Sequence, residues 1–174
     1  MEVRFLDLRQ VSEQQLERWT QWLTAEERQR MAQCRAPKPH ICAHGIAREM
    51  LAEKLGLAPE QVIFSYGEHG KPLVPGAYFN LSHSGDIVLC VVSDVPVGVD
   101  VERLRAVKPH LQERFGTDDP ATFFRCWTAT EARIKCCGAT AGHWKRFKQP
   151  IEGYAVAELA APEGYVAAVC EKRA

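Results

Sequence analysis

Three acids, well separated along the chain, are the residues most suited to chemistry. Asp100 and Glu102 alternate in Gly98-Val99-Asp100-Val101-Glu102, and Glu131 follows in Trp127-Thr128-Ala129-Thr130-Glu131. Residues two apart on a strand share a face, so Asp100 and Glu102 project together while Val99 and Val101 turn into a core. Paired acids beside buried valines suggest a cation site. Upstream, Phe79-Asn80-Leu81-Ser82-His83-Ser84-Gly85 brings hydroxyls and an imidazole to the same neighbourhood.

Strands and a helix must hold these groups. Ile87-Val88-Leu89-Cys90-Val91-Val92 is a short apolar run between turn residues, and Pro96-Val97-Gly98 restarts the chain, so two strands of one sheet are expected. Residues Pro120 to Cys137 read as a helix, opened by Asp118, Asp119 and Pro120 and stopped by Gly138. Trp127, Glu131 and Lys135 then line one helix face, four residues apart. Earlier, Met1 to Leu8 suggests an edge strand. Ser12 with Gln15 and Thr24 with Glu27 are capping-box signals for two short helices. A third helix runs from about His40 to Leu55, closed by Gly56. Gln61 to Ser65 reads as a strand, Phe79 to Ser93 as a strand pair turning near Gly85-Asp86, and Glu152 to Leu159 and Gly164 to Glu171 as two more strands. The second half repeats the order of the first in miniature, with a seam near Pro96.

Together these segments resemble the 4'-phosphopantetheinyl transferases of the surfactin-synthetase-activating (Sfp) type. The resemblance covers Gly70-Lys71-Pro72, Phe79 to Gly85, Gly98 to Glu102, Trp127-Thr128 with Glu131 and Lys135, and Gly164 to Cys170. It implies an α+β fold of two similar α/β halves related by a pseudo-two-fold axis, residues 1–97 and 98–174, in one compact unit. The implied reaction moves the 4'-phosphopantetheine arm of coenzyme A to a serine of an acyl or peptidyl carrier protein, releasing adenosine 3',5'-bisphosphate. The implied metal is Mg²⁺, held by Asp100, Glu102 and Glu131; such an ion takes few ligands from protein and the rest from phosphate and water. Glu131 is also the expected proton acceptor and Lys135 the expected cation at the pyrophosphate. Lys71, Ser82 and His83 match coenzyme-binding positions, and Arg28 and Arg30, with Arg35 and Lys38, lie near where relatives bind the 3'-phosphate. Arg48 fits a structural helix position.

Two departures weaken the match. The family usually carries lysine immediately before the helical glutamate, where this chain has Thr130; Arg125 or Arg133 are the candidates to compensate. The stretches from Glu102 to Pro120 and from Gly138 to Gly164, which help carriers dock in larger relatives, are short. A catalytically weakened coenzyme A-binding protein of the same fold is therefore the alternative. A Mg²⁺-dependent pyrophosphate hydrolase would rest on shared phosphate chemistry alone. A serine-histidine-acid hydrolase is disfavoured, because adjacent Ser82 and His83 point to opposite faces of a strand and no Gly-x-Ser-x-Gly elbow exists.

Composition sets broader limits. The chain has 174 residues, 46% of them hydrophobic, enough for one well-buried core. Its 22 basic and 22 acidic residues cancel, so no global field favours nucleic acid or an anionic membrane. The start lacks a signal peptide and no apolar run is long enough to span a bilayer, which suggests a cytoplasmic chain, and two halves in one chain suggest a monomer. Seven cysteines without Cys-x-x-Cys spacing favour reduced thiols. His40, Cys42 and His44 have the spacing of a helical zinc pair but no clear third and fourth ligand. His143 to Lys148 alternates bases with aromatics, open to an acidic carrier helix, a nucleotide or inward packing.

Overall fold

The computed structural model describes residues 1–173. Strand β1 (Glu2–Asp7) leads into helices α1 (Glu13–Trp22), α2 (Ala25–Ala32) and α3 (Pro37–Leu55). A small hairpin of β2 (Ser65–Tyr66) and β3 (Pro72–Leu73) precedes β4 (Tyr78–Ser84) and β5 (Ile87–Ser93). The second half runs β6 (Val97–Arg103), α4 (Pro109–Glu113), α5 (Pro120–Cys136), α6 (Trp144–Phe147), β7 (Tyr154–Leu159) and β8 (Tyr165–Lys172). Local signals explain the boundaries. Ser12 Oγ accepts from Gln15 N, Thr24 and Glu27 form a reciprocal capping box, Asp119 caps α5 ahead of Pro120, and Gly56 ends α3 at φ 67°.

The α+β fold is made of two three-stranded antiparallel sheets, ordered β1-β5-β4 and β6-β8-β7. In each half the chain runs strand, helix, strand, strand, and the last strand enters between the other two. The repeat of order seen in sequence is thus a repeat of topology.

The apolar run in β5 is explained by burial on both faces. Ile87, Leu89 and Val91 join Val97, Val99 and Val101 of β6 and Ala167 and Val169 of β8 in a core between the sheets. The alternate residues Val88, Cys90 and Val92 pack with Ile46, Met50 and Leu51 of α3. On the other outer face, Ala168 and Cys170 meet Ala132 and Cys136 of α5.

Three expectations need correction. Residues 87–92 and 98–102 belong to different sheets, because β6 pairs with β8 instead of β5. Of Gln61 to Ser65 only Ser65 lies in a strand, at the start of β2: Val62 and Phe64 are buried and Ile63 is 56% exposed, an alternation without a hydrogen-bonding partner strand among the described residues. Helix α3 starts at Pro37, three residues early, since proline suits the first turn of a helix.

Gly98 opens the acidic strand for a steric reason. A Cβ there would lie 2.2 Å from both Ala132 O and Cys136 N, so β6 and the α5 backbone touch at this point. Gly98→Ala is expected to lower the unfolding free energy by about 2–4 kcal/mol, checked by urea denaturation.

Candidate functional site

The seam between the sheets is joined by side chains. Asn80, Ser82 and Ser84, alternating on β4, accept from the backbone N–H groups of Val99 (2.8 Å), Val101 (3.3 Å) and Arg103 (3.1 Å) on β6. The two serines also donate onward, Ser82 Oγ to Asp100 Oδ1 and Ser84 Oγ to Glu102 Oε2, each at 2.8 Å. One polar row therefore ties the sheets together and orients the acids. Lys71 adds a second tie, its Nζ donating to Val97 O (3.0 Å) and Lys135 O (2.8 Å). Burial pushes its pKa down.

Asp100 is 6% exposed and receives Lys135 Nζ on Oδ1 at 2.7 Å; the same ammonium reaches Ser82 Oγ. Glu102 Oε2 is taken by Ser84 and by Arg105 Nη1 at 2.8 Å. Among the described residues two carboxylate oxygens, Asp100 Oδ2 and Glu131 Oε1, are buried without any hydrogen-bond partner. Burial raises the Glu131 pKa, and the charges of Asp100 and Glu102 raise it further, so the three acids act on one another. Burial likewise raises that of Asp100, against the opposing pull of Lys135 and Ser82.

Beside the acids, at the Lys135 end of α5, lies a cavity of about 340 Å³ between α3, the residue 69–72 loop, β4 and α5. Its titratable lining consists of His40, His44, His69, Lys71, His83 and Lys135, all bases. In a chain of zero net charge this local excess favours an anion. The rings of His40 and His83 meet edge to face at 4.8 Å. Burial and then the neighbouring imidazole lower the pKa of each: His44 acts on His40, and His40 on His83.

At the other end of α5 is a second cavity, about 470 Å³, floored by Phe115, Phe123, Phe124, Trp127 and Trp144 and edged by Glu102, Arg105, Lys108, His110 and Arg114. Trp127, Glu131 and Lys135 stand about 6 Å apart along the helix axis. The acids thus lie between a basic chamber and an aromatic one.

No family model matches the chain. It is 38% identical over 109 residues to the 4'-phosphopantetheinyl transferase psf-1 of Bacillus pumilus, covering 53% of this chain and 47% of that one. It is 32% identical over 107 residues to the 4'-phosphopantetheinyl transferase gsp of Aneurinibacillus migulanus, covering 53% and 45%. With the 4'-phosphopantetheinyl transferase Sfp of Bacillus subtilis it shares 26% identity over 170 residues, 85% of this chain and 72% of that one. The chain is thus similar in sequence to several 4'-phosphopantetheinyl transferases, Sfp among them. It spans about half the length of psf-1 and gsp in these matches.

The expected site residues divide. Ser82, Asp100, Glu102, Glu131 and Lys135 gather at the seam, and Lys71 and His83 stand on the wall of the basic cavity. Arg30 lies over the Tyr66 ring at 4.1 Å, in a smaller recess that shares His40, His44 and Gly70 with that cavity. Arg28 sits apart, bonded to Leu23 O and facing α1.

Among the described residues, no group of three or more His, Cys, Asp or Glu side chains is gathered closely enough to hold a metal ion. The acids do not form a ready three-ligand cage. Their two orphaned oxygens nonetheless fit Mg²⁺, a hard ion that is often held by one or two carboxylates plus substrate phosphates.

The missing lysine is not replaced by the expected arginines. Thr130 is fully buried and bonded to Cys126 O, Arg125 reaches Glu158 on the surface, and Arg133 donates to Phe147 O. His143 to Lys148 forms a short helical turn whose Phe147 packs inward and whose Trp144 joins the aromatic cavity. All seven cysteines are free thiols. Among the described residues, no helix is long and apolar enough to cross a membrane.

Sequence reading missed the hub below the basic cavity. Glu27, 2% exposed, accepts from Thr24 N, Arg48 Nη2 and Tyr66 OH and contacts His44 Nδ1. Its capping-box role was the only signal in the sequence. Cys42 is buried and His44 is turned to Glu27, so the zinc-like spacing of His40, Cys42 and His44 has another use here.

Proposed function

We propose that the chain transfers the 4'-phosphopantetheine arm of coenzyme A to a serine of an acyl or peptidyl carrier protein, releasing adenosine 3',5'-bisphosphate. The observation that carries this reading is the pair of unpartnered buried oxygens, Asp100 Oδ2 and Glu131 Oε1, between a base-lined cavity and an aromatic one. The basic chamber suits the phosphorylated nucleotide. The aromatic chamber, with its basic edge, suits the pantetheine end and an acidic carrier.

Asp100, Glu131 and the remaining oxygen of Glu102 would hold Mg²⁺, which when bound supplies positive charge against the charge developing on the pyrophosphate. The chain's own groups do the rest. Lys135, His83 and Lys71 hold phosphoryl oxygens, with Ser82 keeping Lys135 and Asp100 in register. The carrier's serine oxygen attacks the phosphorus bearing the pantetheine arm, the bond to the adenosine bisphosphate oxygen breaks, and that group leaves with the electron pair. Glu131 takes the serine proton. Because one chain supplies both walls of the cleft, the enzyme is proposed to work as a monomer, with the cytoplasm as its setting.

Incubation with coenzyme A, Mg²⁺ and a panel of apo-carrier proteins is expected to add the mass of one phosphopantetheine to a carrier serine. No gain across a broad panel overturns the proposal.

Buried Thr130, with Arg125 and Arg133 engaged elsewhere, favours a second reading: coenzyme A binding with weakened turnover. Losing one charge-assisted contact in a desolvated site costs about 1.5–3 kcal/mol, one to two powers of ten in rate. Calorimetric coenzyme binding without detectable transfer would select this reading.

A further inference from the structure

We propose that Glu27 and His44 form a carboxylate–imidazole dyad in which His44 Nε2 is a further binding position for a phosphoryl oxygen, with Glu27 as its positioning residue. The inference rests on the coenzyme A reading above and adds a residue to that site.

Glu27 lies on α2 and is nearly inaccessible, yet it is surrounded by four polar groups, one from the start of its own helix, two from α3 and one from β2. It accepts from Thr24 N at 2.8 Å, from Arg48 Nη2 at 2.7 Å and from Tyr66 OH at 2.9 Å, and it stands 3.1 Å from His44 Nδ1. Burial opposes the ionised form, but His44, Thr24 and Arg48 together hold the carboxyl at about 2. An ionised carboxylate can only accept, so Nδ1 of His44 must be the donor in this contact. The ring is fixed from another side by Phe64, edge to face at 5.5 Å.

This leaves Nε2. It makes no hydrogen bond within the described residues and is not among the buried atoms without partners, and His44 lines the basic cavity. A ring held by a buried carboxylate, in a residue that lines a cavity walled by bases, is placed to meet an oxygen anion with Nε2 as an N–H donor. The same carboxylate closes the α2–α3 contact through Arg48, so a structural role alone is the competing account. The two differ in whether Nε2 responds to ligand.

The test uses the whole chain with nitrogen-15-labelled histidine, titrated with coenzyme A and with adenosine 3',5'-bisphosphate. The expected result is a shift of the His44 Nε2 signal to that of an N–H donor on addition of either ligand. His44→Ala and the more conservative His44→Gln are expected to weaken coenzyme A affinity by about ten- to a hundredfold in calorimetry, under conditions where urea denaturation shows each variant fully folded. Wild-type binding with an unmoved Nε2 signal, or with undiminished affinity in both variants, overturns the dyad while leaving the coenzyme reading intact. Absence of any coenzyme binding by the wild-type chain overturns the coenzyme reading, and the dyad with it.

Discussion

Glu131→Gln is expected to lose carrier modification by about a hundredfold or more at saturating coenzyme A, with its thermal midpoint at or above that of wild type. The substitution keeps the shape of the side chain but removes its charge and its ability to accept a proton. Glu131 Oε1 has no hydrogen-bond partner and sits in raised-pKa surroundings, so an amide relieves repulsion from Asp100 and Glu102 without breaking a bond. The measurement is the rate of mass gain on the carrier serine, paired with a thermal melt. Asp100→Asn makes a useful contrast. It should lose activity too, but it also weakens the contact with Lys135 at 2.7 Å, and so should cost some stability. Near-wild-type transfer by Glu131→Gln would remove this glutamate from the reaction.

The second large effect concerns folding. Glu27→Gln is expected to destabilise the chain by about 3–5 kcal/mol, because it leaves the Arg48 guanidinium buried without a compensating charge. Arg48 is fully inaccessible, and among the described residues its Nε and Nη1 have no partners and its only ionic contact is Glu27. The Phe64 ring, 4.4 Å from the guanidinium, softens the loss but does not neutralise it.

The pH dependence follows in sign. The Glu27 carboxyl sits near 2 in the folded chain, below its ordinary 4.5. Its stabilisation is therefore complete above pH 4.5 and is lost as pH falls from there toward 2, roughly 3 kcal/mol in all. Urea denaturation at pH 7, 4 and 3 should reveal this component in wild type and not in Glu27→Gln; parallel pH profiles would contradict the assignment.

What sequence reading captured and what escaped it divide along physical lines. Caps are local, so Ser12, Thr24, Asp119 and Gly56 announced their helix ends. Period-two alternation is local too, and it placed Val99 and Val101 in the core with Asp100 and Glu102 on the opposite face. Sheet membership is not local. Nothing in Pro96-Val97-Gly98 signals that β6 pairs with β8 from the far end of the chain, so the two strand-like segments were expected in one sheet. Val62 and Phe64 show the same limit, alternating correctly in a segment that finds no partner.

The site was legible in part for the same reason. Asn80, Ser82 and Ser84 are visible as a polar row, but their acceptors and donors on β6 lie 18 or 19 residues away. The buried Glu27–Arg48 pair spans 21 residues and joins two helices whose surface charges look ordinary in sequence. Arg28 and Arg30 illustrate the opposite difficulty. They are two apart on a helix and therefore cannot share a face, and Arg30, unlike Arg28, turns toward the recess beside the basic cavity.

The polar row on β4 carries a further consequence. A strand at the margin of a sheet ordinarily offers free amides to any passing polypeptide, and such margins nucleate intermolecular growth. Here the amides of Val99, Val101 and Arg103 are already consumed by side-chain oxygens. Removing those oxygens would do more than disturb the acids, since it would expose an adhesive edge and put the chain at risk of self-association.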